Sequence, residues 1–464
     1  MSKPSAQNNR KLEKIQAAAP TSPMRVSLPD LPAEWDSFSR VLEVDLEQLA
    51  RETKALVRKR KVRSAQDLLR MVLAYALWDW SFQLVGAWAT VLGLGSLSGV
   101  AVRQRLRHSR TWLSALLGSW LRRARQPLTG RQVRLRLIDA SVITQPGSRG
   151  TDWRVHLSFD VGALRLDEFE ITDAHGGETL TRHTAAPGEI EVADRGYAHR
   201  AGLGSVLARA AQFVVRLNGH NLPLETAAGE RIDLRRWLRG LPHSQQQQTR
   251  PVWLTSPQGR FELRLVARRL PAAAAAAASR RSAKASRKKG HTPSATSRLM
   301  AHWVLLVTNL PSAEWSPTEV LALYRIRWQV EVLIKRCKSL LQLDQLRAQD
   351  PDVAQVYLLG KALGVLLLHD GLRQQMQALA EWFDDERRPL SPWRWLAFWF
   401  EHLRAVVRGH ITLSMIQAAL PQLKRYLCDA PRKRRQQLVT TRHWLRLLNA
   451  PNPMFAATPQ PKHA

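Results

Sequence analysis

"VRLRLIDASVITQPGSRGTDWRVHLSFDVGALRLDEFEIT", residues 133–172, is where the periodicity of this chain changes to two. Val133 to Asp139, Trp153 to Val161 and Leu164 to Thr172 each alternate apolar and polar side chains, as strands with one buried face do. Gly162 and Ala163 fit a tight hairpin between the last two, so the segment predicts a three-stranded antiparallel meander. Asp139 closes the first strand, ahead of a polar turn. Standing alone, it would read as a turn cap.

Further along come a helix-compatible stretch, "GETLTRHTA", a strand from Glu189 to Gly196, a helix "AHRAGLGSVLARAA" and a strand from Gln212 to Asn218. A meander followed by alternating strand and helix is an α+β order that resembles the ribonuclease-H-like nucleotidyltransferase fold. In that topology the first and fourth strands run side by side, which makes neighbours of Asp139 and Asp194. Residues 219–300 interrupt the core as a mainly β insertion, with strands "RPVWLTS" and "RFELRLVARRL". The low-complexity run at about 272–298 reads as a flexible, disordered basic linker. The core resumes over 301–348 with a strand from His302 to Leu310, then a helix whose start is marked by Ser316, Pro317 and Glu319.

That helix carries "YRIRWQVEVLIKRCK", residues 324–338. At ~100° per residue, Tyr324, Arg327, Glu331 and Lys338 fall within roughly 60° of arc, with Trp328 and Lys335 beside them. Ile326, Val330, Leu333, Ile334 and Cys337 gather on the opposite, core-facing side. The competing reading is a solvated face on which Glu331 pairs with Arg327 and Lys335. Packed across the edge of the sheet, Glu331 can join Asp139 and Asp194. Three clustered carboxylates repel unless neutralised, and two divalent ions would neutralise them. Hard oxygen ligands select Mg²⁺ or Mn²⁺.

The formal net charge of +32, from 70 Lys plus Arg against 38 Asp plus Glu, exceeds what solubility needs and points to a polyanion, nucleic acid first. A membrane surface is the rival. The most apolar stretch, residues 356–372, is broken by Lys361, so no membrane span is expected. No secretion signal is legible at the N-terminus, and Cys337 and Cys428 form no motif, which predicts a reduced, cytoplasmic protein. Residues 1–34 read as a disordered basic arm and 35–126 as a helical DNA-binding region, with a plain helical scaffold as the alternative. A C-terminal helical region follows over 349–448, then a disordered tail over 449–464.

The spacing Y-x2-R-x3-E-x6-K, carried by Tyr324, Arg327, Glu331 and Lys338, resembles the YREK motif of the insertion-sequence-four family of DDE transposases. "LIDASVITQPGSRGTDWRVHLSFD" is similar to the family's first-aspartate block and "EIEVADRGYA" to its second, and the likeness spans roughly residues 35–350. Ala140 stands where many members have Gly. The resemblance implies cut-and-paste transposition, with Asp139, Asp194 and Glu331 holding two Mg²⁺ ions, for which Mn²⁺ can substitute. Strand cleavage at the element ends, a hairpin intermediate and strand transfer are implied with it. Tyr324, Arg327, Lys335 and Lys338 would grip terminal phosphates. The partners implied are double-stranded DNA, as terminal inverted repeats and as target, and a second copy of the chain in a synaptic homodimer. Trp303 stands where a related transposase stacks a flipped base, and a buried strand tryptophan is the equal alternative. Other readings are a catalytically inactive, transposase-derived DNA-binding protein, a different ribonuclease-H-fold nuclease and a basic structural protein.

Overall fold

The structure, a computed structural model, describes Trp35, Leu42 and residues 44–408 apart from 60, 92–93, 95–96, 126–127, 129–132, 243–245, 289, 291, 382 and 384–387. The N-terminal arm, the tail and the C-terminal helical region beyond Arg408 lie outside the described residues.

Five helices open the described chain: α1 (Leu46–Glu52), α2 (Ala65–Trp78), α3 (Phe82–Val91), α4 (Gly99–His108) and α5 (Arg110–Ala124). Then come β1 (Arg134–Ile143), β2 (Trp153–Asp160), β3 (Arg165–Asp173), β4 (Glu189–Ala193), α6 (Arg200–Ala208) and β5 (Gln212–Arg216). The stretch 219–300 supplies α7 (Leu234–Gly240), β6 (Gln247–Ser256), β7 (Gly259–Arg269), α8 (Ala272–Lys288) and α9 (Ala295–Met300). β8 (Trp303–Thr308) leads to α10 (Pro317–Ile326), α11 (Trp328–Leu341), α12 (Pro351–Leu366), α13 (Arg373–Glu381) and α14 (Pro392–Arg408).

The eight strands form one mixed sheet in the order β3-β2-β1-β4-β5-β8-β7-β6. β1, β2 and β3 are the antiparallel meander, and β4 and β5 continue from β1 in parallel. β8 runs antiparallel to β5, and β7 pairs with β8 from Arg264↔Thr308 to Arg269↔Trp303. The insertion strands therefore extend the core sheet. Alternation sorts the side chains: Leu135, Leu137, Ile190, Val192, Val214 and Leu306 join the core that includes α10 and α11, while Ile138, Ala193, Phe213, Val215 and Val307 join the core on the other face.

Three local readings are corrected. The meander turn is four residues, Val161 to Leu164, with Asp160 Oδ1 accepting the Ala163 N–H at 3.0 Å and Leu164 taking the left-handed conformation (φ 54°). The run expected as a flexible linker is helix α8 over most of its length. Seven consecutive alanines, the strongest helix formers, outweigh the serines that follow. "GETLTRHTA" forms only a single 3₁₀ turn, Leu180–Arg182.

The long helix expected after Ser316 does begin with a capping box between Ser316 and Glu319, but it divides at Arg327. There the Arg327 N–H bonds Tyr324 O at 3.2 Å and the Val330 N–H bonds Arg327 O at 3.1 Å, a tightened i→i−3 turn. The far end of α11 is fixed from below by buried Lys361, whose Nζ donates to Leu341 O and, at 2.8 Å, to Gln342 O. A cation at a helix C-terminus offsets the carbonyl dipoles. Burial draws its pKa down to about 8. Pro351–Gly371, which contains Lys361, is long and apolar enough to cross a membrane, yet most of it is buried against α2 and the core. Gly360 allows that approach, since a Cβ there would meet Ala76 Cβ at 2.7 Å.

The register of the central strands is held by a buried ion cluster. Fully buried Arg136 donates from Nε to Asp167 at 2.7 Å and from one terminal nitrogen to Glu191 at 2.9 Å, while the other lies 2.8 Å from Glu168. Replacing Arg136 with Met should leave buried Asp167 and Glu191 without their ion-pair partner and cost about 3–5 kcal/mol in a denaturant-unfolding measurement. A loss under about 1 kcal/mol would contradict the clamp.

Candidate active site

The parallel pairing Leu137↔Val192, carried on by two residues, sets Asp139 level with Asp194 on adjacent strands. Asp139 continues the face of Leu135 and Leu137, and Asp194 continues that of Ile190 and Val192. Both carboxylates therefore belong to the sheet face on which α11 packs through Val330 and Ile334. Glu331 stands on that helix, beside the sheet edge.

The Asp139 carboxyl is strongly perturbed. Burial pushes its pKa up to about 6, and the charges of Asp194 and Glu331 add to the rise. The Ala140 N–H, 2.8 Å from Oδ1, and the Arg327 guanidinium work the other way. Asp194 caps the 3₁₀ turn Arg195–Tyr197 by accepting the Gly196 N–H at 2.7 Å. Gly196 leaves room for the Glu178 carboxylate, whose Oε2 would lie 2.1 Å from a Cβ there and would have to turn aside. Below the aspartates lies the buried Tyr197 ring, its phenol raised well above the ordinary value by burial and by Asp139, Glu178 and Asp194.

Arg327 joins the acids. Its guanidinium bonds Glu331 Oε1 and stands 3.9 Å from Asp139 Oδ2. Burial disfavours its charge, but Tyr324, Glu331 and Asp139 outweigh that and raise its pKa. The Tyr324 ring lies 5.6 Å from this guanidinium, and burial raises the phenol's pKa. Lys335 and Lys338 follow Glu331 by one and two turns of α11, exposed and half-buried respectively. Among the described residues no group of three His, Cys, Asp or Glu side chains is close enough to hold a metal ion. The donor chemistry, three hard carboxylates, suits a divalent cation, and the positive charge between Asp139 and Glu331 is here the Arg327 guanidinium.

Trp303 does not join this group. It is buried at the start of β8 in the core on the other face of the sheet, with the Arg269 guanidinium 4.4 Å from its ring centroid. That is the arrangement of a buried strand tryptophan, and base stacking on it would need Arg269 displaced.

Two residues near the acids carried no motif signal. Glu178 is half-buried, with its pKa raised by burial and by Asp194. Arg216 ends β5 one strand beyond Asp194, exposed and close enough to Tyr324 to influence it. Only the strand order brings them in, although an arginine at the end of an apolar strand was a visible sign.

Residues 134–367 match the family described as "Transposase DDE domain". The chain is 36% identical over 333 residues to the putative transposase InsL for insertion sequence element IS186A of Escherichia coli (strain K12), covering 70% of this chain and 90% of that protein. The transposase for insertion sequence element IS421 of Escherichia coli is 36% identical over 334 residues, with the same coverage. The transposase for IS231F of Bacillus thuringiensis subsp. israelensis is 25% identical over 432 residues, 84% of this chain and 89% of its own length. A large mixed sheet that opens with an antiparallel meander and is covered by helices fits the ribonuclease-H-like fold of the DDE class. The chain belongs to the DDE transposases of insertion sequences.

The buried Asp139 charge has a thermodynamic consequence. Its folded pKa, about 6, lies above the ordinary value of 3.8, so the native state holds the proton more tightly than the unfolded chain. Stability from this group is therefore lost as pH rises from about 4 through about 6. Asp139→Asn should raise the melting temperature at pH 7.5 without divalent ions, by a stability gain on the order of 1–2 kcal/mol. The gain should shrink at pH 5. A lower melting temperature at pH 7.5 would contradict the assignment.

Proposed function

We propose that this transposase moves its insertion sequence by cut-and-paste, cleaving DNA at the element ends and joining the freed 3′ hydroxyls to target DNA. The observation that supports this reading is the level, same-face placement of Asp139 and Asp194 beside Glu331, with a cation already between two of the three. Asp139, Asp194 and Glu331 would hold two Mg²⁺ ions, or Mn²⁺ in their place. When bound, the ions would activate the attacking hydroxyl and stabilise the leaving oxygen.

The chain's own residues supply orientation. Arg327 serves as the resident counter-ion of the acids and turns to a DNA phosphate when an end enters, since a guanidinium fork suits phosphate as well as carboxylate. Tyr324, Lys335 and Lys338 extend that grip along the end, and Tyr197 keeps the ground beneath the aspartates apolar. Trp303 would stack a flipped base only in a rearranged complex, after Arg269 moves aside. The hairpin intermediate belongs to the same reading. So do recognition of terminal inverted repeats, a synaptic homodimer, DNA binding by the region 35–126 and a cytoplasmic location.

Asp139→Ala, Asp194→Ala and Glu331→Ala should each cut Mg²⁺-dependent cleavage of a labelled element-end duplex by about a thousandfold or more, while gel-shift affinity for the uncut end stays within about threefold. Lys338→Ala should instead shorten the lifetime of the complex with the cleaved end. Retained cutting in any acid variant would remove that residue from the site. Binding without cutting in the wild-type protein would favour the inactive, DNA-binding reading.

A further inference from the structure

We infer that α8 is a docking surface for target DNA, gripping the phosphate backbone of the duplex into which the element is joined. This rests on the transposition reading above, to which it adds a surface.

The sequence between Glu262 and Glu314 contains no Asp or Glu, and its cations concentrate in the second half of α8. At ~100° per residue, Arg280, Arg281, Lys284 and Arg287 span about 120° of the helix circumference. All four are exposed. Ala275 is buried, and Ala278, Ser279, Ser282, Ala283 and Ser286 are half-buried. These six fall on the opposite side. The helix is thus seated by its small residues and offers its cations outward. None of the four cations pairs with a carboxylate among the described residues. The cations of α4 and of the start of α5 differ, since Arg103 and Arg107 of α4 and Arg110 of α5 reach Asp350 or Asp352 at 3.0–3.3 Å. The four unneutralised cations rise about 10 Å along the helix, and their long side chains reach several phosphates of a duplex.

Position and composition narrow the partner. β7 runs parallel to β4 and β5, so α8 leaves the sheet at the end that carries Asp194. β7 lies four strands from β1, about 19 Å across the sheet. α8 therefore starts at the same end of the sheet as Asp194. Its exposed cationic face carries no Asn or Gln, and its Arg and Lys side chains suit a row of phosphates, with guanine the one base their forks would also read. Contacts made chiefly to phosphate suit a target duplex better than an element end, whose sequence is fixed.

The test is the quadruple variant Arg280→Ala, Arg281→Ala, Lys284→Ala and Arg287→Ala. Alanine keeps or improves helix propensity, and a matching thermal melt checks the fold. Full-length protein is given either an element end still joined to flanking DNA, to read cleavage, or a pre-cleaved end plus a plasmid, to read strand transfer. Flanked-end cleavage should stay within about twofold of wild type, while transfer from the pre-cleaved end falls about tenfold or more. The salt dependence of plasmid capture should lose about three to four from its log–log slope. The triple variant Arg280→Lys, Arg281→Lys and Arg287→Lys, with Lys284 kept, should restore capture, because point charges suffice for phosphate. Lost cleavage with normal transfer would reassign the surface to flanking DNA and overturn the inference. Unchanged transfer and slope would leave it a solvated face and also overturn it. Failure of the transposition reading itself would differ, since the wild-type protein would then neither cut nor join.

Discussion

The site depends on the register between β1 and β4, and that register is fastened by one buried side chain. Arg136 stands opposite Glu191 on the neighbouring strand and also holds Asp167 and Glu168 near the start of β3. Arg134 and Arg125 add ties to Glu189 at the start of β4. With both strands clamped at one end, Asp139 and Asp194 arrive at the same height at the other. A one-residue slip would turn Asp139 into the opposite core.

The same geometry creates an electrostatic demand. A half-buried carboxylate with two other acids near it is costly to ionise without a cation nearby, as the raised pKa of Asp139 records. Arg327 meets the demand between Asp139 and Glu331, and the break between α10 and α11 falls at this residue, where the tightened turn brings its side chain back over the sheet. Lys361 then holds the far end of α11 from within the core, while the capping box fixes the start of α10. The break thus seats Arg327 as counter-ion to the acid that α11 bears.

Much of this was legible in the sequence because it is local. Period-two alternation located β1, β2 and β3, and the spacing from Tyr324 to Lys338 gathered the cations around Glu331. What escaped depends on partners far apart in the chain. Alternating Arg and Leu in "VRLRLID" reads as a strand with one wet face, yet Arg136 is fully buried because its carboxylates arrive from β3 and β4. The insertion strands looked separate and instead extend the core sheet through β8, a pairing no local pattern encodes. The alanine run shows the reverse error, in which low complexity outweighed a strong intrinsic helix propensity. Trp303 lies in a strand whose two faces are both covered, so alternation could not tell which core it enters.

The most direct measurement is anomalous diffraction from crystals of the full-length protein with a cleaved element end and Mn²⁺. Manganese should appear within about 2.2 Å of oxygens from Asp139, Asp194 and Glu331, with the Arg327 guanidinium moved onto a DNA phosphate. Manganese bound elsewhere, or Arg327 still lodged between Asp139 and Glu331 in a complex competent to join DNA, would contradict the assignment.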